Sequence, residues 1–428
     1  EKMLYDQGQL LSFYAELARR SHDATDLEWP VQETAAYLRR EMRGPEGAFF
    51  ASQDADSEGV EGKFFVWTPH EVDEILGDEA HSFCTAYGIR PGGNFEDNTT
   101  HLIDEARGKR SEFASARAKL LDRRDGRVAP ATDPKHVAAW NGYAISGLAR
   151  AAGVFSDDIM LEEAVGAANF VLSSMVDDDQ RLLRIHNQGR SHTPGFLDDY
   201  AAMLSPCLDL HRAGGGDRFL TSAVWLADAI LARFADRENG ALYLTASDGE
   251  ELIHRPRSEH DGATPDAAGL ALLGLTRMAA LSGSAELDAF VELAISEVGP
   301  WLERSPHAFP TLLRVIALRS RGLSVAVIVG DSASAETGAL AARARRVLRP
   351  EDAVIVVDPD RRGQTSSDVS PPIGLSSDWL VGRQAISGRA TAYLCRGTAC
   401  SLPVHEASEL VADLVPERVE GSASNGST

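Results

Sequence analysis

Four stretches of this chain share one unusual composition: a polar or acidic head followed by a run of Ala, Gly and Leu that is apolar on nearly every face. Tyr5-Asp6-Gln7 leads into GQLLSFYAELARR, and Trp140-Asn141-Gly142 into YAISGLARAAG. Leu197-Asp198-Asp199 leads into YAAMLSPCLDLHRAGG, and Asp266 into AAGLALLGLTRMAALSG. A helix that is apolar all round is buried on most sides. Its Ala and Gly residues let neighbouring helices approach closely.

Amphipathic segments lie between them: Trp29–Arg43, Glu71–Tyr87, Ser111–Arg124, Leu161–Val176, Arg218–Ala235 and Glu286–Glu303. Their charged faces predict helices packed on the outside. Asn141 and Asp199 are 58 residues apart, and Asp199 and Asp266 are 67 apart, which is a helix-pair period. Gly47-Ala48-Phe49-Phe50 and Gly240-Ala241-Leu242-Tyr243 follow outer segments and read as short strands in tight hairpins. Inner helix, loop, outer helix and hairpin, repeated in a ring, describe a mainly α chain, an (α/α)6 toroid. About ten helices are counted where twelve are needed. The ring is therefore expected to be N-terminally incomplete, and an apolar seam with poor solubility or dimerisation is expected to follow.

The pattern changes near residue 320. LSVAVIVG and AVIVVDP are β-branched runs of strand length, separated by a helix near Ala335–Val347. Thr391–Leu394 reads as another strand, Ala407–Leu414 as a short helix and Arg361–Asp378 as a loop. The expected division is a barrel over 1–320, a small α/β module over 321–415 and a disordered tail over 416–428.

The 428 residues carry a formal net charge of −22, which argues against a broad surface for nucleic acid or anionic lipid. No run approaches the 18 apolar residues of a membrane span. Four cysteines make no disulfide framework, so a reducing, cytoplasmic compartment is expected. The chain opens at Glu1 with no signal peptide and reads as a fragment.

Asp6, Trp140, Asn141, Asp198, Asp199, His260 and Asp261 stand at or near the heads of inner helices, where a toroid has its central funnel. Carboxylates that grip hydroxyls and a Trp that stacks on a sugar face suit a carbohydrate ligand. Helix capping by Asp and Asn explains the same residues without a ligand. His260 beside Asp261 is the leading acid–base pair, and His136 a second base. Asp54 or Asp56 paired with Asp199 would suit glycoside hydrolysis instead. Asp54-Ala55-Asp56-Ser57-Glu58-Gly59 opens like a calcium loop, but Phe65 stands where an EF-hand needs Glu. That segment reads better as a hairpin over the funnel mouth, held by Lys63. Cys395 and Cys400 form a pair, a redox couple or plain strand packing, and Cys84 and Cys207 are expected as core thiols. No metal or cofactor is expected: the cysteines lack a second pair for zinc, and no dinucleotide fingerprint or nucleophile elbow is present.

The motifs EKMLYDQ (1–7), ASQDADSEGVEGKFFVWTPHEV (51–72), AWNGYAISGLARA (139–151), FLDDYAAM (196–203), HDGATP (260–265) and YLCRGTACSLPV (393–404) resemble, in order, those of the spermatogenesis-associated protein 20 and YyaL-type thioredoxin-domain-containing family. That resemblance implies the six-hairpin glycosidase and N-acylglucosamine 2-epimerase type of toroid. It also implies a thioredoxin domain in the full-length chain that is not in this sequence. Two departures stand out: Asp266-Ala267-Ala268 replaces the family's Ser-Gly-Asn, and Ala139 replaces a Thr. The expected function is a carbohydrate-active barrel that binds a sugar or polyol, with epimerase or isomerase chemistry through His260 and Asp261. The alternatives are a glycosidase with paired carboxylates, and a non-catalytic module that serves the thioredoxin domain.

Overall fold

The computed structural model describes residues 1–21, 25–105, 108–258, 260–359 and 371–415. Most of the expected Arg361–Asp378 loop and the expected tail lie outside them. The chain divides into two compact units: residues 1–3 with 51–134, and residues 4–50 with 135–428. The described residues are mainly α-helical.

The chain starts with β1 (Lys2–Met3), α1 (Leu4–Arg20) and α2 (Thr25–Tyr37), and then crosses into the 51–134 segment. There follow β2 (Ser52–Gln53), β3 (Asp56–Ser57), β4 (Val60–Glu61), α3 (Pro69–Leu76), α4 (Ala80–Ala86), α5 (Ala114–Asp125) and β5 (Thr132–Asp133). The order β1-β2-β5 makes one antiparallel sheet, and β3-β4 is a hairpin turned by Glu58 and Gly59, both at positive φ. Thr68 and Glu71 form a reciprocal capping box at the start of α3. Trp67, Val72, Phe83, Tyr87 and Leu120 form this unit's own core. The helices expected as outer ring members at Glu71–Tyr87 and Ser111–Arg124 therefore belong to the first unit, and Gly77 (φ 54°) breaks the former in two.

The second unit continues with β6 (His136–Val137), α6 (Ala138–Phe155), α7 (Asp158–Ser174), β7 (Leu183–Asn187), β8 (Arg190–Pro194), α8 (Leu197–Ala213) and α9 (Arg218–Arg233). Then come α10 (Ala267–Ser282), α11 (Ala285–Arg304) and α12 (Pro310–Arg321). Helices α1, α6, α8, α10 and α12 pack side by side as an inner row, and α2, α7, α9 and α11 fold back on its first four members. This is the hairpin architecture of an α/α toroid, with five inner helices among the described residues. The small residues set the spacing. A Cβ on Gly8 would sit 2.4 Å from the Tyr143 carbonyl carbon, and one on Gly142 would sit 2.2 Å from the Ala202 oxygen. Only glycine permits backbones this close. Each of α2, α7 and α9 is followed by a bridge closing a tight turn: Arg43 with Phe49, Val176 with Leu182, Ala235 with Leu242.

The chain ends in a four-stranded sheet of order β10-β9-β11-β12, formed by β9 (Ser324–Val329), β10 (Ala353–Val357), β11 (Thr391–Arg396) and β12 (Ala399–Cys400). Helix α13 (Ala335–Val347) joins β9 to the parallel β10. Secondary structure does change near residue 320. The sheet nevertheless shares one core with the helices, since Val325, Val327, Val329 and Ile355 lie in the same buried cluster as Leu148 and Leu210.

Candidate functional site

The helix heads are fixed by their acidic residues. Phe196 caps α8, and the third residue of that helix, Asp199, reaches back to accept the Phe196 N–H at 3.0 Å. Its other oxygen accepts the Ala139 N–H of α6 at 3.1 Å, so one wholly buried carboxylate ties two inner helices together. Arg184 of β7 donates to Asp199 Oδ2 at 2.7 Å and to both oxygens of Asp198 at 2.9 and 3.0 Å. Burial and the like charge of Asp198 push Asp199 up to about 7, against the opposing pull of Arg184 and the two backbone donors.

Asn141 is equally committed. Its Oδ1 accepts the Phe49 N–H at 2.8 Å, and its Nδ2 donates to the Phe49 and Val137 carbonyls at 3.0 and 3.1 Å. His136, 2% exposed, places Nδ1 2.9 Å from the same Phe49 oxygen and stacks on Phe50. Since a carbonyl only accepts, Nδ1 carries the proton there. Asp261 accepts the Asp266 N–H and the Thr311 N–H and hydroxyl, which fixes the heads of α10 and α12. Asp266 in turn caps α10 through Gly269 N–H.

The inner row encloses a cavity of about 470 Å³. Gln9, Ser12 and Glu16 of α1, Tyr143, Ser146 and Arg150 of α6, Ser205 of α8, Leu270 and Leu273 of α10 and Arg314 and Arg321 of α12 line it, with Glu351 beyond them. Gln9 also holds the Ala263 carbonyl at 2.8 Å. Tyr143 is buried near Asp198 and Asp199, which together with desolvation raise its phenol well above the ordinary value and keep it protonated. Arg314 and Arg150 hold Glu351 well below the usual carboxylate range despite its burial. Arg314 donates to it at 2.7 Å. Beneath the wall, Asp209 is bound by Arg150 Nε at 2.7 Å, by Ser146 Oγ at 3.0 Å and by Arg277 at 2.8 Å.

None of the ten candidate residues singled out from the sequence lines this cavity. Asp198, Asp199 and Asn141 lie at the heads of adjacent inner helices, and Asp261 lies at the heads of α10 and α12, but their polar atoms serve the backbone or Arg184. His260 is exposed, and both Asp261 oxygens accept from Asp266 and Thr311. Trp140 packs edge-on against Tyr5 at 5.1 Å, and Asp6 is exposed in the first turn of α1. Asp54 and Asp56 are exposed in the first unit, where Asp54 accepts from the next backbone N–H in the turn. Lys63 pairs with Glu58 at 2.7 Å. Among the described residues no three His, Cys, Asp or Glu side chains converge on a metal site. Cys395 and Cys400 face each other on β11 and β12 as a disulfide, Cys207 is buried, and Cys84 is half-buried.

The residues missed were Glu16, Arg150, Arg314 and Glu351. One had a signal: Arg150 is the only charge in the otherwise apolar run of α6, where an ionised group needs a partner or a ligand.

No family model matches the chain. It is 28% identical to spermatogenesis-associated protein 20 of Homo sapiens and 29% identical to that of Rattus norvegicus. Each alignment covers 96% of this chain and 57% of the relative. Among solved structures, the cellobiose 2-epimerase of Spirochaeta thermophila aligns with a TM-score of 0.43 and 10% identity, over 72% of this chain and 61% of that one. A D-mannose isomerase aligns with a TM-score of 0.36 and 11% identity, over 70% and 74%. No helix of the described residues is long and apolar enough to cross a membrane. Along nearly its whole length, and over 57% of theirs, this chain is a homologue of the proteins named spermatogenesis-associated protein 20.

Proposed function

We propose that the inner-row cavity binds a sugar or sugar-like polyol. The observation that carries this reading is the composition of the wall: four helices, α1, α6, α8 and α12, contribute polar groups around the leucine face of a fifth, α10. The volume of about 470 Å³ falls within the range of small-ligand pockets. Gln9, Ser12 and Tyr143 suit hydroxyl groups, and Leu270 and Leu273 suit the apolar face of a sugar ring.

Recognition fits this wall better than proton transfer. Tyr143 is held protonated, Glu351 and Glu16 are held ionised by arginines, and none of the three is poised to exchange a proton near neutral pH. This observation favours the non-catalytic version, a binding module that would serve the expected thioredoxin domain, over epimerase chemistry through His260 or hydrolysis by paired carboxylates. A cytoplasmic location rests only on the small number of cysteines, and the Cys395–Cys400 disulfide argues against it.

The test is a thermal-shift and calorimetric screen of the 428-residue chain against mono- and disaccharides, with product analysis by NMR. A sugar that raises the melting temperature and binds at one site supports the reading. Absence of any shift across the panel sinks it, and a new product signal would restore the epimerase or glycosidase version.

A further inference from the structure

The cavity wall is not evenly charged. In a chain of net charge −22, five of its lining residues are arginines, Arg20, Arg150, Arg314, Arg321 and Arg349, against two acids, Glu16 and Glu351. They gather at the end where α1 and α12 finish. Arg150 and Arg321 are committed internally, Arg150 to Asp209 and Arg321 to Asp352, both at 2.7 Å. The other three keep open donors. Arg20 gives Nε to Glu16 and Arg314 gives Nη2 to Glu351, yet their side chains are 64% and 44% exposed. Arg349 is exposed and makes no side-chain ion pair among the described residues.

We propose that this end of the cavity holds an oxyanion, so that the ligand is an acidic sugar carrying a carboxylate or a phosphate. This rests on the sugar reading above and adds the substrate class. A guanidinium presents a planar fork of donors that matches either group, and three such forks around one opening are far more than a neutral sugar requires. The ends of α1 and α12 oppose an anion, because each C-terminus carries about half a negative charge. Positive charge beside them offsets this: Arg19 and Arg20 share the single carboxylate of Glu16, and Arg349 has no ion-pair partner among the described residues. The net acidity of the chain repels anions at a distance, but beyond roughly 10 Å it is screened at physiological salt. The nearby arginines therefore decide.

Calorimetry on the 428-residue chain with glucose, glucuronate, glucose 6-phosphate and inorganic phosphate, at low and high salt, tests this. The expected result is that one acidic sugar binds at least roughly tenfold tighter than glucose and that its advantage shrinks with salt. Glucuronate against glucose 6-phosphate then tells carboxylate from phosphate. In the doubly substituted Arg20→Gln, Arg349→Gln chain, whose altered side chains lie at the surface, the acidic-to-neutral affinity ratio falls toward one. An unchanged ratio in that variant overturns the proposal, as does inorganic phosphate binding as tightly as glucose 6-phosphate. Equal affinity for all three sugars overturns the acidic class and leaves the sugar reading standing. Binding of none of them overturns both.

Discussion

Among the described residues Arg184 is the only cation hydrogen-bonded to Asp199, a carboxylate with no exposure to solvent, and it approaches Oδ2 to 2.7 Å. The pair joins β7 to the heads of α6 and α8. Removing the cation leaves a buried charge without compensation, a change that costs several kcal/mol in proteins generally. Arg184→Met is expected to lose about 3 kcal/mol at pH 8 in urea unfolding. A loss below about 1 kcal/mol would show that water reaches the pair.

The same site gives a pH dependence whose sign follows from linkage. Burial raises Asp199 to about 7 in the folded chain, against about 3.9 when unfolded. Between those values the folded state holds a proton that the unfolded state has released. The contribution to stability is therefore complete below about pH 4 and is lost as pH rises to about 7. In Arg184→Met the folded value climbs further, so the deficit of the variant should grow as pH passes 7 and shrink toward pH 5. Unfolding curves at pH 5, 7 and 8.5 check this, and a deficit independent of pH would contradict it.

How much of this was legible in the sequence varies with the interaction. The inner helices could be read because burial on all faces leaves a local mark, the Ala, Gly and Leu runs of α6, α8 and α10. That Asp199, Asn141 and Asp261 stand at helix heads was legible too. Their work was not, because an N-terminal carboxylate that serves a neighbouring helix looks the same in sequence as one that faces a ligand. The cavity wall was largely hidden. Arg314 and Glu351 meet across 37 residues, through a helix and a sheet whose packing no local pattern encodes. The 51–134 unit was misassigned because amphipathic helices look alike whichever core they cover.

Asn141 illustrates a polar residue whose value is structural. Asn141→Ala would leave the Phe49 N–H without its partner and remove donors from two buried carbonyls, although His136 still serves the Phe49 oxygen. Orphaned buried groups cost roughly 1–3 kcal/mol each, so a loss of about 3 kcal/mol is expected. Asn141→Asp retains the acceptor but not the donors and should fall between. Chemical denaturation orders the three chains, and an alanine variant as stable as the parent would refute the clamp.

Gly147 tests the close approach of α1 and α6. A Cβ there would lie 2.5 Å from the Gly8 oxygen and 2.7 Å from Leu11 Cβ. In an isolated helix Gly→Ala gains up to about 1 kcal/mol. Here overlap with backbone opposes it, and overpacking costs about 1–3 kcal/mol. The net expectation is a loss of about 1–2 kcal/mol in thermal unfolding. A gain in stability would mean the inner helices can separate freely.

His260, the leading candidate from sequence, is exposed and absent from the cavity wall, whereas Tyr143 lines it and is kept protonated by burial beside Asp198 and Asp199. A phenol so held can donate to a ligand hydroxyl at any physiological pH. Tyr143→Phe removes that donor with little change of shape and should weaken sugar binding by roughly tenfold, the scale of one hydrogen bond. His260→Ala should leave both affinity and melting temperature unchanged, because surface substitutions away from special features alter stability by less than about 0.5 kcal/mol. Calorimetry on the two variants with one sugar decides. The opposite ranking would move the ligand out of the inner-row cavity and toward the loop that carries His260.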